Sequence, residues 1–357
     1  MIHSIRRKTR QISLGGIKIG GGAPVTVQSM LKCHSWDIEK AKDAIQKLES
    51  AGVDIIRVAI PDMDSAKVFG KLKSESRVPL VADIHFDHKL AIASIENGAD
   101  CIRINPGNMS GGDKLKKVIE AAKKAKIPIR IGINSGSIRS GLRKKYPDDQ
   151  ISAMGESLVE ALKPFEEEDF TDIKISAKSS DAFETISIYR KISNLTDYPL
   201  HLGVTAAGSY ANSIVKSSIG IGTLLCEGIG DTIRVSMTGD PVQEVVTGKK
   251  ILKSLNLIED NVPQIISCPT CGRCGVDLVK IVQEVEDSFA SKKGNMTIAV
   301  MGCEVNGPKE AQDADLGLTF SKDLGIIFIK GKVSNRISRS ESVDALIRAY
   351  ESLMNRK

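Results

Sequence analysis

The sequence predicts an α/β protein: a closed TIM-type (β/α)8 barrel followed by a small α+β domain. Three observations predict it. Short runs rich in Val and Ile alternate with helix-sized segments through roughly the first two-thirds of the chain. There are eight such runs, the number that closes a β/α barrel. Near 256–266 the alternation stops, and a cysteine-rich turn opens a different pattern.

Taken in order, KTRQISL and IKIG within 8–20 are separated by Gly15 and Gly16 and read as a hairpin. The eight runs are VTVQS (25–29), DIIRVAI (54–60), PLVAD (79–83), CIRIN (101–105), PIRIGI (128–133), DIKIS (172–176), PLHLGV (199–204) and TIRVS (232–236). Between them lie helical patterns such as DIEKAKDAIQKLESAG (37–52) and DKLKKVIEAAKKAK (113–126). Strands alternating with helices imply parallel pairing through right-handed crossovers. No G-x-G-x-x-G follows the first strand, which weakens an open dinucleotide-binding sheet as the alternative. The barrel is expected over 1–255 and the second domain over 256–357, with a helix (276–290), strands at 296–302, 316–320 and 325–330, and a final helix (339–354).

Composition sets limits on function. Of 357 residues, 41% are hydrophobic but only 4% aromatic, so the core is built of aliphatic side chains. The net charge of +6 is too small for a general nucleic-acid coat, and no run is long enough to span a membrane. No apolar stretch follows the basic start, so no signal peptide is expected. Seven cysteines, three of them within 268–274, look like metal or redox chemistry in a reducing compartment rather than a disulfide framework. The expected location is the cytoplasm, with no nucleic acid or membrane as partner.

In a β/α barrel the ligand meets the C-terminal strand ends. The residues expected there are Arg57, Asp83, His85, Arg103, Asn105, Arg130, Asn134, Lys174, Lys178, His201, Arg234 and Ser236. Four arginines inside short apolar strands are costly to bury without partners. The strands supply few acids, so a ring of four carboxylate pairs is not expected. A converging cationic funnel is the alternative, and guanidinium forks suit the oxygens of a phosphate or diphosphate. The NPGN turn (105–108) adds backbone amides for an anion.

SCPTCGRC places Cys268, Cys271 and Cys274 at C-x-x-C-x-x-C spacing, and MGCEVNGPKE supplies Cys303 and Glu310. A four-cysteine zinc site is the bland reading and a [4Fe–4S] cluster the sharper one. Either Cys274 or Glu310 could supply the fourth ligand. A carboxylate is the harder and more easily displaced of the two. Cys101 and Cys226 are expected in the core. Cys33, beside His34, is expected at the barrel mouth, where an ordinary loop residue is the bland reading.

These residues carry a family resemblance. GGGAPVTVQSM (20–30), PLVADIHFD (79–87), RINPGN (103–108), KSSD (178–181), HLGVT (201–205), IGDTIRVSMTGDP (229–241), SCPTCGR (267–273) and MGCEVNGP (301–308) are similar to the 4-hydroxy-3-methylbut-2-enyl diphosphate synthase family over nearly the whole chain. The resemblance implies reductive dehydroxylation of 2-C-methyl-D-erythritol 2,4-cyclodiphosphate in the methylerythritol phosphate route to isoprenoids. It implies a [4Fe–4S] cluster on Cys268, Cys271, Cys303 and Glu310, with Glu310 the catalytic ligand. The diphosphate-binding groups it implies are Arg57, Arg103, Asn105, Arg130, Asn134, Lys178, Arg234 and Ser236; Asp83 and His85 join them as substrate-binding candidates from their place at the strand ends. It implies ferredoxin or flavodoxin as electron donor and a homodimer as the active unit.

The sequence departs from the family pattern at LKCHSWD (31–37), at Ala206 where an acid is expected, at Lys309, and at the extra thiol Cys274. The alternative those departures raise is a divergent paralogue with the same cluster and anion pocket, acting on another phosphorylated substrate or in regulation.

Overall fold

The computed structural model describes residues 6–108, 112–134, 136, 138–258, 261–290, 292–303, 311–321 and 323–355. The chain divides into two compact units, 1–258 and 259–357.

The first unit begins with an antiparallel hairpin, β1 (Gln11–Leu14) and β2 (Ile17–Gly20). Then come β3 (Thr26–Met30), α1 (Ile38–Ser50), β4 (Ile55–Ala59), α2 (Met63–Glu75), β5 (Leu80–Asp83), α3 (His88–Glu96), β6 (Cys101–Ile104), α4 (Gly112–Ala125) and β7 (Ile129–Asn134). The unit continues through α5 (Ser140–Lys145), α6 (Gln150–Glu167), β8 (Ile173–Lys178), α7 (Ala182–Leu195), β9 (His201–Leu202), α8 (Tyr210–Cys226), β10 (Thr232–Ile233) and α9 (Pro241–Ser254).

The sheet order is β8-β7-β6-β5-β4-β3-β10-β9, and every pairing is parallel. A parallel bridge between Ile175 and Leu200 joins the two ends and closes the barrel. The helices start where the sequence supplies caps. Asp37, Asp62, Asp87, Asp149, Asp181 and Asp240 each accept a backbone N–H of the first turn, and Pro241 follows the last of these.

Alternation along each strand separates two environments. Ile56 and Val58, Ala82, Ile102 and Ile104, and Ile129 and Ile131 pack outward in one cluster with the helices. Their neighbours face the barrel axis. At the N-terminal strand ends these are Ile55, Val81 and Cys101, which cluster with Ile12, Leu14 and Ile19 of the hairpin. The hairpin therefore plugs the bottom of the barrel, and the inward polar residues lie above it.

The second unit contains β11 (Gln264–Ser267), α10 (Leu278–Phe289), β12 (Thr297–Met301), β13 (Leu316–Phe320), β14 (Leu324–Ile329), β15 (Lys332–Ser338) and α11 (Ser342–Met354). Its sheet runs β11-β12-β13-β14-β15, parallel across the first three strands and antiparallel beyond. Leu278, Val285 and Phe289 of α10 and Leu346 and Tyr350 of α11 share a core with Ile298, Val300, Leu316 and Leu318. Phe289 meets Tyr350 edge-on, with centroids 5.0 Å apart.

Sequence reasoning found three of these five strands. It missed β11, which is short, and β15, an exposed edge strand with little apolar signal. A second correction concerns Cys226, which lies exposed at the end of α8 rather than in the core. Cys101 is fully buried. Among the described residues no helix is long and apolar enough to cross a membrane.

Candidate active site

Strand register brings three cations side by side inside the barrel. Arg103 on β6 pairs with Arg130 on β7, and Arg130 pairs with Lys174 on β8. In-register residues on neighbouring strands point the same way, about 4.8 Å apart. Like charges so placed repel. Room for them comes from two inward positions that lack a side chain. A Cβ on Gly132 would lie 2.5 Å from Arg103 Nε, and a Cβ on Gly203 would lie 2.8 Å from Lys178 Nζ.

Partial compensation comes from two carboxylates. Asp83 lies 3.3 Å from Arg103 and 3.7 Å from Arg57. The other is Glu244 on α9, fully buried, which accepts from Arg234 at 3.1 and 3.3 Å and from Ser29 at 3.0 Å. Lys32, in the loop after β3, also reaches Glu244 at 3.0 Å and donates to the carbonyls of Met237 and Gly239. Met30 Sδ sits between Arg57 (2.9 Å) and Arg234 (3.5 Å). Three of the four arginines thus have carboxylate neighbours, more than the strand sequences alone imply. The fourth, Arg130, donates instead to neutral oxygens, Ser176 Oγ and Gln28 Oε1, both at 3.1 Å. Arg103 Nε is buried with no hydrogen-bond partner.

The electrostatics follow from burial and crowding. Burial brings Arg57 down to about 10, with Asp83 opposing the shift. Arg130 falls well below its ordinary value through burial and the charges of Arg57 and Arg103. Lys178 does the same through burial and the charges of Arg130, Arg234, Arg57 and Arg103. Burial also lowers Lys174 to about 8. Burial alone would raise the Asp83 carboxyl, but Arg57, His85 and Arg103 together hold it below the usual carboxylate range. A dianion among these strand-end groups would meet an excess of desolvated positive charge.

The remaining strand-end residues take lesser places. Asn105 is buried and accepts from Gly107 N–H at 3.1 Å, which shapes the NPGN turn. His85 is half-exposed, with Nε2 3.0 Å from Arg103 Nη1 and 3.6 Å from Asp83. Ser236 is half-buried above β10. Asn134 ends the backbone of β7, but its side chain lies outside the described residues. His201 lies deeper, fully buried, against Thr232 Oγ1 at 2.7 Å. Cys33 is half-buried against the barrel core, with its thiol raised by burial, which matches the ordinary loop residue and not an activated nucleophile. Ala206 adopts a left-handed backbone with φ 47°.

In the second unit Cys268, Cys271, Cys274 and Cys303 line one cavity of about 100 Å³ with Pro269, Thr270, Arg273 and Gly302. Cys268 follows β11 and Cys303 follows β12, so parallel pairing of those strands brings the two thiols together. Gly302 N–H donates to Cys268 Sγ at 3.3 Å. Among the described residues no three His, Cys, Asp or Glu side chains are gathered as ligands of one metal ion. The thiols surround a cavity instead of a point. That donor set, soft sulfur around a small void, is one that an iron–sulfur cluster accepts. Glu310 lies outside the described residues.

Sequence reasoning missed Gln28, Met30, Lys32, Ser176 and Glu244. Glu244 carried a signal: it is a carboxylate on the buried face of the helix that follows the last barrel strand.

Comparison with known proteins agrees across both units. The GcpE TIM-barrel domain matches residues 9–249, and the GcpE protein C-terminal domain matches residues 264–352. A 4-hydroxy-3-methylbut-2-en-1-yl diphosphate synthase (flavodoxin) of Thermodesulfovibrio yellowstonii is 49% identical over 342 residues, covering 96% of this chain and 98% of that protein. The protein of the same name from Clostridium perfringens is 48% identical over 348 residues, covering 98% and 99%. A solved dihydropteroate synthase of Yersinia pestis, 15% identical, covers 69% of this chain and 99% of its own length at a TM-score of 0.51, a likeness of fold. With both halves matched in order and nearly half of all residues identical, this chain belongs to the GcpE family of 4-hydroxy-3-methylbut-2-en-1-yl diphosphate synthases.

Proposed function

We propose that this chain is an iron–sulfur oxidoreductase that converts 2-C-methyl-D-erythritol 2,4-cyclodiphosphate to 4-hydroxy-3-methylbut-2-enyl diphosphate, with flavodoxin as the electron donor. The observation that carries the proposal is near-full-length identity, at 48–49%, to proteins of that name. The cationic barrel interior supports it independently, because a diphosphate is the anion that such a cluster of arginines suits. The same near-full-length match weighs against a paralogue with a different substrate.

In this reading Arg57, Arg103, Arg130, Lys178 and Arg234 bind the diphosphate, and Asn105, Asn134 and Ser236 donate hydrogen bonds around it. Glu244 and Asp83 hold the guanidiniums of Arg234 and Arg103 in place. The burial of these groups excludes water from the anion, so each contact acts in a low dielectric. His85, oriented by Arg103, is placed to move a proton at its exposed ring edge. Cys268, Cys271, Cys303 and Glu310 would hold a [4Fe–4S] cluster. When bound, that cluster supplies low-potential electrons one at a time. Gly302 N–H, aimed at the Cys268 sulfur, would tune that potential.

The enzyme is proposed to be cytoplasmic and to work as a homodimer. Anaerobic turnover of the cyclic diphosphate with reduced flavodoxin tests the activity. No product from protein carrying a full cluster, with either flavodoxin or a strong artificial reductant, would overturn it.

A further inference from the structure

Three features of the molecule stand outside the reading above. They are the cavity under α11 lined by Glu284, Asp287, Asp344 and Arg339, the buried amine of Lys174 inside the barrel, and the fourth thiol in the cysteine cavity. The first mixes acids with one arginine and points to no ligand, and the second is closed off from solvent. The third carries an inference.

We propose that Cys274 is a reserve cluster ligand, a fourth thiolate that holds the exchangeable iron whenever the carboxylate of Glu310 does not. The proposal rests on the cluster reading above and deepens it. Cys274 lines the same cavity as Cys268, Cys271 and Cys303. Its N–H donates to the carbonyl of Cys271 at 2.9 Å, and that turn folds the C-x-x-C-x-x-C loop back on itself. Its sulfur is not loose in solvent: it donates to the carbonyl of Val276 at 3.3 Å and packs against the unit's core.

One residue spaces two of the sulfurs. The backbone N–H of Gly302 meets Cys268 Sγ, and a Cβ at Gly302 would lie 2.5 Å from Cys274 Sγ. Any larger residue beside Cys303 would push Cys274 out of the cavity.

Ligand chemistry gives the thiol its role. Thiolates ligate the irons of sulfide clusters, so Cys274 can fill a position that the carboxylate has left. If the carboxylate leaves, the Cys274 thiol loses its proton to solvent and its sulfur takes the vacated position. The exchange is a ligand substitution with no change in oxidation state. It keeps four irons in the centre at a moment when a three-thiolate site sheds one.

The test compares wild type, Glu310→Ala, Cys274→Ser and the double variant, all reconstituted anaerobically. We expect about four irons per chain in wild type and Glu310→Ala, and about three in the double variant. On mild oxidation the double variant should show the paramagnetic signal of a three-iron centre, and Glu310→Ala should not. Three irons in Glu310→Ala, or four in the double variant, would overturn the proposal.

Should the double variant fail to fold, alkylation of loaded Glu310→Ala decides. Cys274 must resist iodoacetamide until the iron is chelated, and prompt alkylation while loaded would overturn the proposal. Wild type without iron would overturn the cluster reading and this proposal with it, whereas a loaded wild type beside a three-iron Glu310→Ala would overturn this proposal alone.

Discussion

The guanidinium of Arg130 donates to the side-chain oxygen of Gln28 across the barrel at 3.1 Å, and Gln28 carries no charge to balance it. Arg57, Arg103 and Arg234 have carboxylates nearby, whereas Arg130 has another arginine on one side and a lysine on the other.

The arginines should therefore differ in their effect on binding. Losing one partner of a desolvated charge pair costs about 2–5 kcal/mol. Arg57→Ala, Arg103→Ala, Arg130→Ala and Arg234→Ala should each weaken binding of the cyclic diphosphate at least tenfold, with Arg130→Ala the worst. Calorimetry on the four variants checks this, and ordinary affinity in any two would place the anion elsewhere.

Binding should also depend on pH through Lys178. Burial and four neighbouring arginines depress its ammonium in the free protein. A bound dianion favours the charged form, so binding takes up a proton and affinity rises as pH falls through the free-state value. The measurement is calorimetry in buffers of different ionisation heat. Lys178→Met should bind weakly and lose the proton uptake.

Lys174 should make stability pH-dependent in the opposite sense. Its folded value is about 8, below the unfolded value near 10.4. Between the two the unfolded chain binds the extra proton, so stability from this group rises with pH, by at most about 1.4 kcal/mol per pH unit. Lys174→Met should melt at a higher temperature than wild type at pH 7, and the gap should close by about pH 10. A gap that stays constant over that range would mean that the amine has a partner.

Removing Cys268, Cys271 or Cys303 as serine should abolish iron loading, and Cys274→Ser should leave it near wild type while Glu310 is present. Iron and sulfide analysis after anaerobic reconstitution reads this directly. Loss of the cluster in Cys274→Ser alone would mean that the ligand set is four cysteines.

Mixed dimers test the homodimer. A Cys303→Ser chain and an Arg103→Ala chain should each be inactive, and mixing them should restore part of the activity if the proposed homodimer pairs one chain's barrel with the other's cysteine centre. Unrecovered activity in verified mixed dimers would argue for self-sufficient chains.

The barrel was legible because two periods coincide along its strands. Apolar residues at alternate positions mark the helix-facing side, and the interruptions at Arg57, Arg103 and Arg130 mark the lumen. Glu244, Lys32 and Met30 were not legible, because their roles depend on which helix face and which loop close over the lumen, and that is decided by tertiary packing. The same holds for β15, whose exposed residues carry no alternation to read. The cysteine spacing pointed to metal or redox chemistry, and the structure places Cys274 in the same cavity as Cys268, Cys271 and Cys303.

The hairpin seal has a kinetic consequence. With Ile12, Leu14 and Ile19 packed into the lower end, the barrel is a blind-ended cup. In the proposed function reactant and product use one doorway, so traffic through it is not a relay from end to end. In that reading departure of the product must precede arrival of the next molecule.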